Sequence, residues 1–300
     1  MWYPVPSVTA PAFRIALLAA FALPLAVGCK KSEERRRVEG NSGSAGSSTG
    51  SATAPTPAAT RPAGEYGKVR GTVKITGEAP SMPMIRNGSD PVCAKDKMAA
   101  ETILVNDNAT LRNALVRVKP GTVPAWTPSD PVKIRQEKCM YRPRVQGGVV
   151  GQRLEVHNTD DTSHNVHARG GQIGDRQGAD ALWNRQQVRV SRSAEPIVSK
   201  IEDIPVMRIK CDLHGWMVGY VITSDNPYHA VTDAAGSFEL EAPAGELTIQ
   251  AWHEFYGLKE ATVTIEGGKT SDVTFSFDAQ ADNPYGQKTA PAPDSPAKSG

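Results

Sequence analysis

The chain has 300 residues, of which 22% are charged and 6% are aromatic, and its formal net charge is +2. This balance predicts one or two globular domains of ordinary composition. It gives no sign of the basic surface that a nucleic-acid-binding protein needs, so we expect no nucleic-acid partner.

The N-terminus has the pattern of an export signal. An apolar run from Ile15 to Val27 follows a single arginine and is too short to span a membrane comfortably. Residues 25–29, LAVGC, resemble a bacterial lipobox. The resemblance implies that residues 1–29 are a lipoprotein signal peptide and that Cys29 is lipidated. Lys30 in place of an aspartate favours the periplasmic face of the outer membrane. An uncleaved anchor or a soluble secreted product is the alternative.

The next segment and the end of the chain are unlike the middle. Residues 30–65 and 279–300 are rich in small polar residues and proline, so we predict a disordered tether and a disordered tail. Between them, short alternating runs are separated by Gly, Pro, Asn and Asp, with no long helical period. This pattern predicts an all-β fold.

The cysteine count adds a further expectation. With Cys29 taken as the lipid site, Cys93, Cys139 and Cys211 remain, and an exported chain with three cysteines leaves one unpaired. Cys93 and Cys139 have no His or Met at ligand spacing, so we predict a Cys93–Cys139 disulfide. Cys211 is then a free thiol, which in an oxidising compartment needs burial or a metal.

Residues 206–223, VMRIKCDLHGWMVGYVIT, place Cys211, His214 and Met217 in one loop between two predicted strands. Cys211 shares a face with Met207 and Ile209 by the two-residue period of a strand, so it points inward. A thiolate, an imidazole and a thioether together favour copper. The alternative is that the cysteine and the methionine only fill the core beside a surface histidine.

An upstream histidine is needed to complete such a site. Residues 149–171 contain His157, His164 and His167. Alternation with the neighbouring apolar residues turns His164 inward and the other two outward. His164, Cys211, His214 and Met217 then make the two-imidazole, one-thiolate set with a weak axial thioether that is typical of a mononuclear type 1 copper site. A structural zinc site or a vestigial site without metal remains the alternative.

These motifs resemble the cupredoxins, the family of plastocyanin and amicyanin. The resemblance covers about residues 130–224 and includes the C-x2-H-x2-M spacing, the HN pair at the first ligand and the closing strand MVGYVIT. It implies a Greek-key β-sandwich that binds copper. We expect Asn165 to brace Cys211 by a hydrogen bond and His214 to expose its edge as the route for electrons. Trp216 either forms a docking surface around that edge or lies as a lid over the metal.

Residues 225–278 resemble carboxypeptidase-regulatory-like domains in the tracts TDAAGSFEL and APAGELTIQAW. The resemblance implies a second, smaller transthyretin-like β-sandwich with a structural role. This segment offers only about five strands, fewer than such a sandwich needs. The missing strands are expected in residues 66–129, which would make the copper domain an insertion. The alternative is that residues 66–118 extend the copper domain's own sheet.

The sequence therefore predicts a lipid-anchored periplasmic blue-copper protein that carries single electrons between redox partner proteins and is not an enzyme. Two alternatives remain open. One is a copper storage or delivery module, and the other is a β-sandwich interaction lipoprotein with a decayed site.

Overall fold

The computed structural model describes residues 60–174, 180–188 and 195–284. The predicted signal peptide with Cys29, and most of the predicted tether and tail, lie outside these residues. The inner end of each predicted disordered segment is held by the fold, because Arg61 donates to Glu241 over 3.0 Å and Asp282 pairs with Lys259 over 2.7 Å. In this part of the chain no helix is long and apolar enough to cross a membrane.

The predicted all-β class is confirmed. The described residues form one short 3₁₀ helix, Cys93–Lys95, and sixteen strands. In chain order the strands are β1 Tyr66–Thr76, β2 Leu115–Val118, β3 Val132–Glu137, β4 Met140–Arg142, β5 Val145–Val149, β6 Arg153–Asn158, β7 His164–Gly171, β8 Asp180–Gln187, β9 Ile197–Lys200, β10 Val206–Lys210, β11 Val218–Ser224, β12 His229–Val231, β13 Ser237–Pro243, β14 Gly245–His253, β15 Gly257–Ile265 and β16 Thr270–Asp278.

Two sheets combine the first two strands with the last five strands of the described residues. One has the order β13-β1-β16 and the other the order β12-β2-β14-β15. We call this pair of sheets the flanking sandwich. Its core is formed by alternate residues, as in β1, where Val69, Val73 and Ile75 are buried between exposed lysine and arginine positions. In strand pairing, residues 66–118 therefore group with residues 229–278 and not with the strands that lie between them in the sequence.

The other two sheets use only residues 132–224 and form the inserted sandwich. Their orders are β5-β11-β10-β7-β8 and β4-β3-β6-β9. Strand β3 alternates as the sequence suggests, with Val132 and Ile134 buried and Lys133 and Arg135 exposed. The core between the two sheets contains the inward residues of β6, β7, β10 and β11, together with Cys211 and Met217. This core positions the predicted metal ligands.

The two sandwiches pack against each other through β10 and β11, so these strands are buried on both faces. Val218, Tyr220 and Ile222 of β11 join Leu115 and Trp252 of the flanking sandwich in one apolar cluster. The second face of β10 carries Arg208, which is buried although alternation places it opposite the core. The sequence pattern of an inward and an outward face therefore holds, but the outward face meets protein and not water.

A buried ion pair also crosses between the sandwiches. Arg144 donates Nη2 to Glu254 Oε2 over 2.8 Å and Nε to the other carboxylate oxygen. The side chains of Arg144 and Glu254 are only 2% and 1% exposed. A buried charge that loses its partner costs several kcal/mol, so this pair ties β14 to the chain before β5.

Candidate metal centre

The loop between β10 and β11 is closed by its own backbone. The N–H of Met217 donates to the carbonyl of His214 over 2.8 Å, and the N–H of Cys211 donates to the carbonyl of Met217 over 3.1 Å. Cys211 follows Met207 and Ile209 on the inward face of β10, as the alternation predicts, and is fully buried. The loop therefore presents its thiol, its imidazole and its thioether from one tight turn.

Strand β7 brings His164 to this loop. Because β7 pairs antiparallel with β10, with His167 opposite Lys210, the start of β7 lies beside the loop that follows β10. His164 Nδ1 lies 2.9 Å from His214 Nδ1 and 4.0 Å from Cys211 Sγ, and the third side, from His214 Nδ1 to Cys211 Sγ, is 3.7 Å. The structure thus brings three of the four predicted ligands into one buried group.

The three donor atoms fit a metal ion. The point in their plane that is equidistant from all three lies about 2.1 Å from each. For comparison, protein sites bind Zn²⁺ at about 2.0–2.1 Å through nitrogen and about 2.3 Å through sulfur. Two imidazoles and a thiolate are also the donor set that suits a trigonal copper site. The fourth predicted ligand, Met217, is fully buried in the same apolar cluster as Cys211.

Asn165 lies against the thiol, at the position where the sequence predicts a bracing residue. Its backbone N–H points at Cys211 Sγ over 3.5 Å, and its side-chain Oδ1 accepts from Sγ over 3.3 Å and from the N–H of Asp212 over 2.6 Å. Its Nδ2 donates to Asp212 and Asn184. Asn165 therefore ties β7 to the start of the loop between β10 and β11, which we call the ligand loop.

Two carboxylates contact the far side of the two imidazoles. Asp160 Oδ2 lies 2.9 Å from His164 Nε2, and Asp90 Oδ2 lies 3.1 Å from His214 Nε2. Asp90 belongs to the covering loop, which we define as residues 87–96. The Nδ2 group of Asn87 closes this loop by donating to the carbonyls of Cys93 and Asp96 over 2.6 and 2.7 Å.

The electrostatics of the group favour an ionised thiol. Burial alone would raise the pKa of Cys211, but the contacts of its sulfur with the imidazoles of His164 and His214, together with the hydrogen bond from the Asn165 N–H, outweigh burial and lower that pKa to about 6. Burial would lower the pKa of His164, whereas hydrogen bonds to Asp160 and Cys211 raise it. The pKa of Asp90 falls to about 2, because hydrogen bonds from Thr162, the Cys93 and Val92 N–H groups and His214 exceed the effect of burial. The site holds negative charge around the place where a cation would lie.

The expected exposure of His214 is wrong. The residue is only 4% exposed, because the covering loop places Asp90 on its Nε2 and Cys93 Sγ lies 3.9 Å from the same atom. Trp216 is half-buried, with its ring centroid 5.1 Å from that of His214 and its Nε1 donating to the carbonyl of Cys139 over 3.0 Å. The edge of the His214 ring, which the sequence pattern assigns to solvent, therefore lies beneath the covering loop. This loop precedes the inserted sandwich in the chain.

Cys93 and Cys139 form a disulfide, and Cys211 is the one free cysteine among the residues that the structure describes, where it is buried. The disulfide joins the covering loop to the turn between β3 and β4. It lies next to His214, so it fixes the covering loop over the metal centre.

Asp90 and Asp160 are not among the site residues that the sequence predicts. A signal for Asp90 was present, because it stands three residues before Cys93 and accepts the N–H of both Val92 and Cys93, as an aspartate commonly does at the start of a turn. The sequence alone did not indicate that this turn meets His214. That contact depends on packing between segments separated by 124 residues.

Comparisons with known proteins give partial likenesses. No family model matches the chain, and no curated protein matches it. A purple cupredoxin from Nitrosopumilus maritimus matches 31% of this chain and 99% of its own, at 20% identity and a TM-score of 0.26. Amicyanin from Paracoccus versutus matches 36% of this chain and 97% of its own, at 22% identity and a TM-score of 0.27. A copper-containing nitrite reductase from Thermus scotoductus matches 35% of this chain and 25% of its own, at 18% identity and a TM-score of 0.26.

Proposed function

We propose that the protein binds one type 1 copper ion and carries single electrons between redox partner proteins, with no substrate turnover of its own. The observation that carries this proposal is the buried triangle of His164 Nδ1, His214 Nδ1 and Cys211 Sγ, with sides of 2.9, 3.7 and 4.0 Å. Its size fits a metal ion, and its chemistry matches the trigonal two-histidine, one-cysteine copper site.

Each residue has a distinct part in this function. Copper, when bound, supplies the one-electron couple between Cu(I) and Cu(II). Cys211 would provide the thiolate that bonds the metal, and the backbone N–H of Asn165 donates a hydrogen bond to its sulfur. The two imidazoles would hold the metal from β7 and from the loop between β10 and β11, and Met217 would supply a weakly binding thioether. All four side chains are buried, which would keep bulk water away from the metal.

The alternative function, a copper storage or delivery module, is favoured by one observation, the burial of His214 beneath the covering loop. A storage site gains from such a cover, whereas an electron carrier needs a short path to its partner. The burial of Met217 and the free thiol supports the electron carrier, since delivery sites tend toward exposed Met and His clusters. Retention or loss of copper on reduction separates the two functions.

The remaining expectations belong to the same proposal. Lipidation of Cys29 would hold the protein at the periplasmic face of the outer membrane, and the segment up to residue 65 would let it reach a partner. The flanking sandwich would have a structural role, because it packs on β10 and β11 and so supports both ends of the ligand loop.

Spectroelectrochemical titration of the purified, copper-loaded protein tests the proposal. We expect one copper per chain and a reversible one-electron transition in which the oxidised spectrum is recovered in each cycle. The chain should retain its copper in both oxidation states when a cuprous chelator is added. Loss of copper to the chelator on reduction, without recovery of the oxidised spectrum, would contradict electron transfer and support storage or delivery.

A further inference from the structure

The two imidazoles of the metal centre are held in the same way from their far sides. Each Nδ1 faces the triangle, and each Nε2 faces one carboxylate oxygen, at 2.9 Å for Asp160 and 3.1 Å for Asp90. The carboxylates come from separate parts of the chain. Asp160 lies in the turn between β6 and β7, and Asp90 lies in the covering loop.

This geometry fixes where the protons lie. An ionised carboxylate only accepts hydrogen bonds, so the imidazole nitrogen that faces it must carry the hydrogen. A neutral imidazole with hydrogen on Nε2 presents a lone pair at Nδ1. Two such lone pairs would face each other across the 2.9 Å that separates His164 Nδ1 from His214 Nδ1. A positive charge next to both nitrogens, from a proton or a metal ion, relieves that repulsion.

We propose that Asp90 and Asp160 are positioning residues of the metal centre. Each fixes one imidazole in the tautomer whose Nδ1 lone pair faces Cys211, and their negative charges favour Cu(II) over Cu(I). The statement about the oxidation states depends on the proposed copper function, whereas the statement about the tautomers does not.

The carboxylates are themselves held rigidly, which a positioning residue requires. Asp90 Oδ1 accepts the N–H groups of Val92 and Cys93 over 2.7 and 3.2 Å, and its Oδ2 accepts the hydroxyl of Thr162 over 2.6 Å. These bonds occupy both oxygens. The carboxylate cannot turn away from His214 without breaking one of them.

Asp160 is held by the turn that contains Cys139, the other half-cystine. Its two oxygens accept the N–H groups of Lys138 and Cys139 over 2.6 and 2.8 Å. Lys138 and Cys139 form the two-residue turn between β3 and β4, and both have positive φ, a conformation that non-glycine residues rarely adopt. The backbone N–H of each half-cystine therefore donates to the aspartate that holds one histidine, and the disulfide joins the two arrangements.

The charges act at short range in a buried place. Both aspartates contact imidazoles that would bind the metal directly, and the histidine side chains are almost fully buried. Little solvent screens the carboxylates from the metal position. A negative charge at this distance stabilises a doubly charged cation more than a singly charged one, so removal of one charge should weaken Cu(II) binding more than Cu(I) binding.

Nitrogen-15 NMR of the imidazoles in the metal-free protein tests the tautomers. In the wild type we expect a hydrogen on Nε2 of both His164 and His214. Asp90→Asn keeps Oδ1 for the two backbone N–H groups and places an amide N–H₂ opposite His214, so His214 Nε2 should lose its hydrogen while His164 keeps its own. Asp96→Asn is the control, because Asp96 is exposed in the same loop and only its backbone carbonyl is used.

The copper-loaded variants test the charge. The ratio of Cu(II) affinity to Cu(I) affinity, measured by competition with chelators, should fall at least about tenfold in Asp90→Asn, which raises the potential by about 59 mV. Asp96→Asn should not change it. A wild-type His214 with hydrogen on Nδ1, or an Asp90→Asn protein with unchanged tautomer and unchanged affinity ratio, would overturn the proposal. If the wild type shows both expected tautomers but binds no copper, the proposed function fails and the positioning role stands.

Discussion

Removal of the Cys93–Cys139 disulfide should destabilise the protein by an amount that depends on the length of the loop that the disulfide closes. The bond joins residues separated by 46 positions, for which the chain-entropy relation gives about 4 kcal/mol at 25 °C. Both half-cystines are buried, so Cys93→Ala with Cys139→Ala also loses apolar contacts and adds no polar group to the core.

Urea unfolding followed by tryptophan fluorescence measures this loss by linear extrapolation. The wild type reduced with a dithiol is the matched control, because it loses the cross-link and keeps both sulfur atoms. We expect the reduced wild type to lose about 4 kcal/mol and the double variant to lose more, because the variant also loses the apolar contacts of the two buried sulfur atoms. A loss below about 1 kcal/mol in both would refute the reasoning, since the cross-link would then not restrict the unfolded chain as the loop length requires.

The same variant should expose the metal centre. Without the disulfide, the covering loop loses its covalent link beside His214 and keeps the hydrogen bonds that Asp90 accepts from His214 and Thr162. His214 should therefore react with diethylpyrocarbonate faster in the metal-free double variant than in the oxidised wild type. His157 is part-buried on β6 and serves as the internal reference.

Three further predictions concern other parts of the protein. Met217→Gln should keep copper bound and blue but lower the potential, because a harder oxygen donor favours Cu(II); an unchanged potential in voltammetry would count against an axial role. Burial and the charge of Arg117 lower the pKa of His229 to about 4, and its ring lies against Gly147, where an added Cβ would come within 2.2 Å of it. The unfolded chain therefore binds more protons below pH 6.5, and the wild type should lose about 2 kcal/mol more stability than His229→Gln between pH 7 and pH 5 in urea unfolding; equal losses would show that the fold does not keep His229 neutral. Cys29→Ser should move the protein from the membrane fraction to the soluble fraction, and unchanged fractionation would rule out lipid anchoring.

The sequence predicted those features of the site that depend on local pattern. The two-residue period of β10 turned Cys211 inward, and the same argument on β7 selected His164 from three histidines. The spacing within one loop brought His214 and Met217 to the same turn. These inferences succeed because a strand and a tight loop fix the directions of their own side chains.

The features that the sequence did not predict depend on packing between distant segments. His214 is covered by Asp90, and Arg208 is buried, because surfaces that look solvent-facing within one sandwich meet another part of the chain. The pairing of Arg144 with Glu254 has the same origin. The alternation of residues along one strand does not predict such contacts. It indicates which face of the strand a side chain lies on, but not which distant segment packs against that face.

The optical spectrum of the copper-loaded protein, recorded for the wild type and for Cys211→Ser, tests the central proposal most directly. A type 1 site binds Cu(II) through a thiolate, so the wild type should show the intense blue charge-transfer band of that bond. Cys211→Ser should abolish the band, because a hydroxyl cannot replace the sulfur. A wild-type copper complex without a strong thiolate band, or a blue spectrum that survives Cys211→Ser, would contradict the assignment of His164, Cys211, His214 and Met217 as a blue-copper centre.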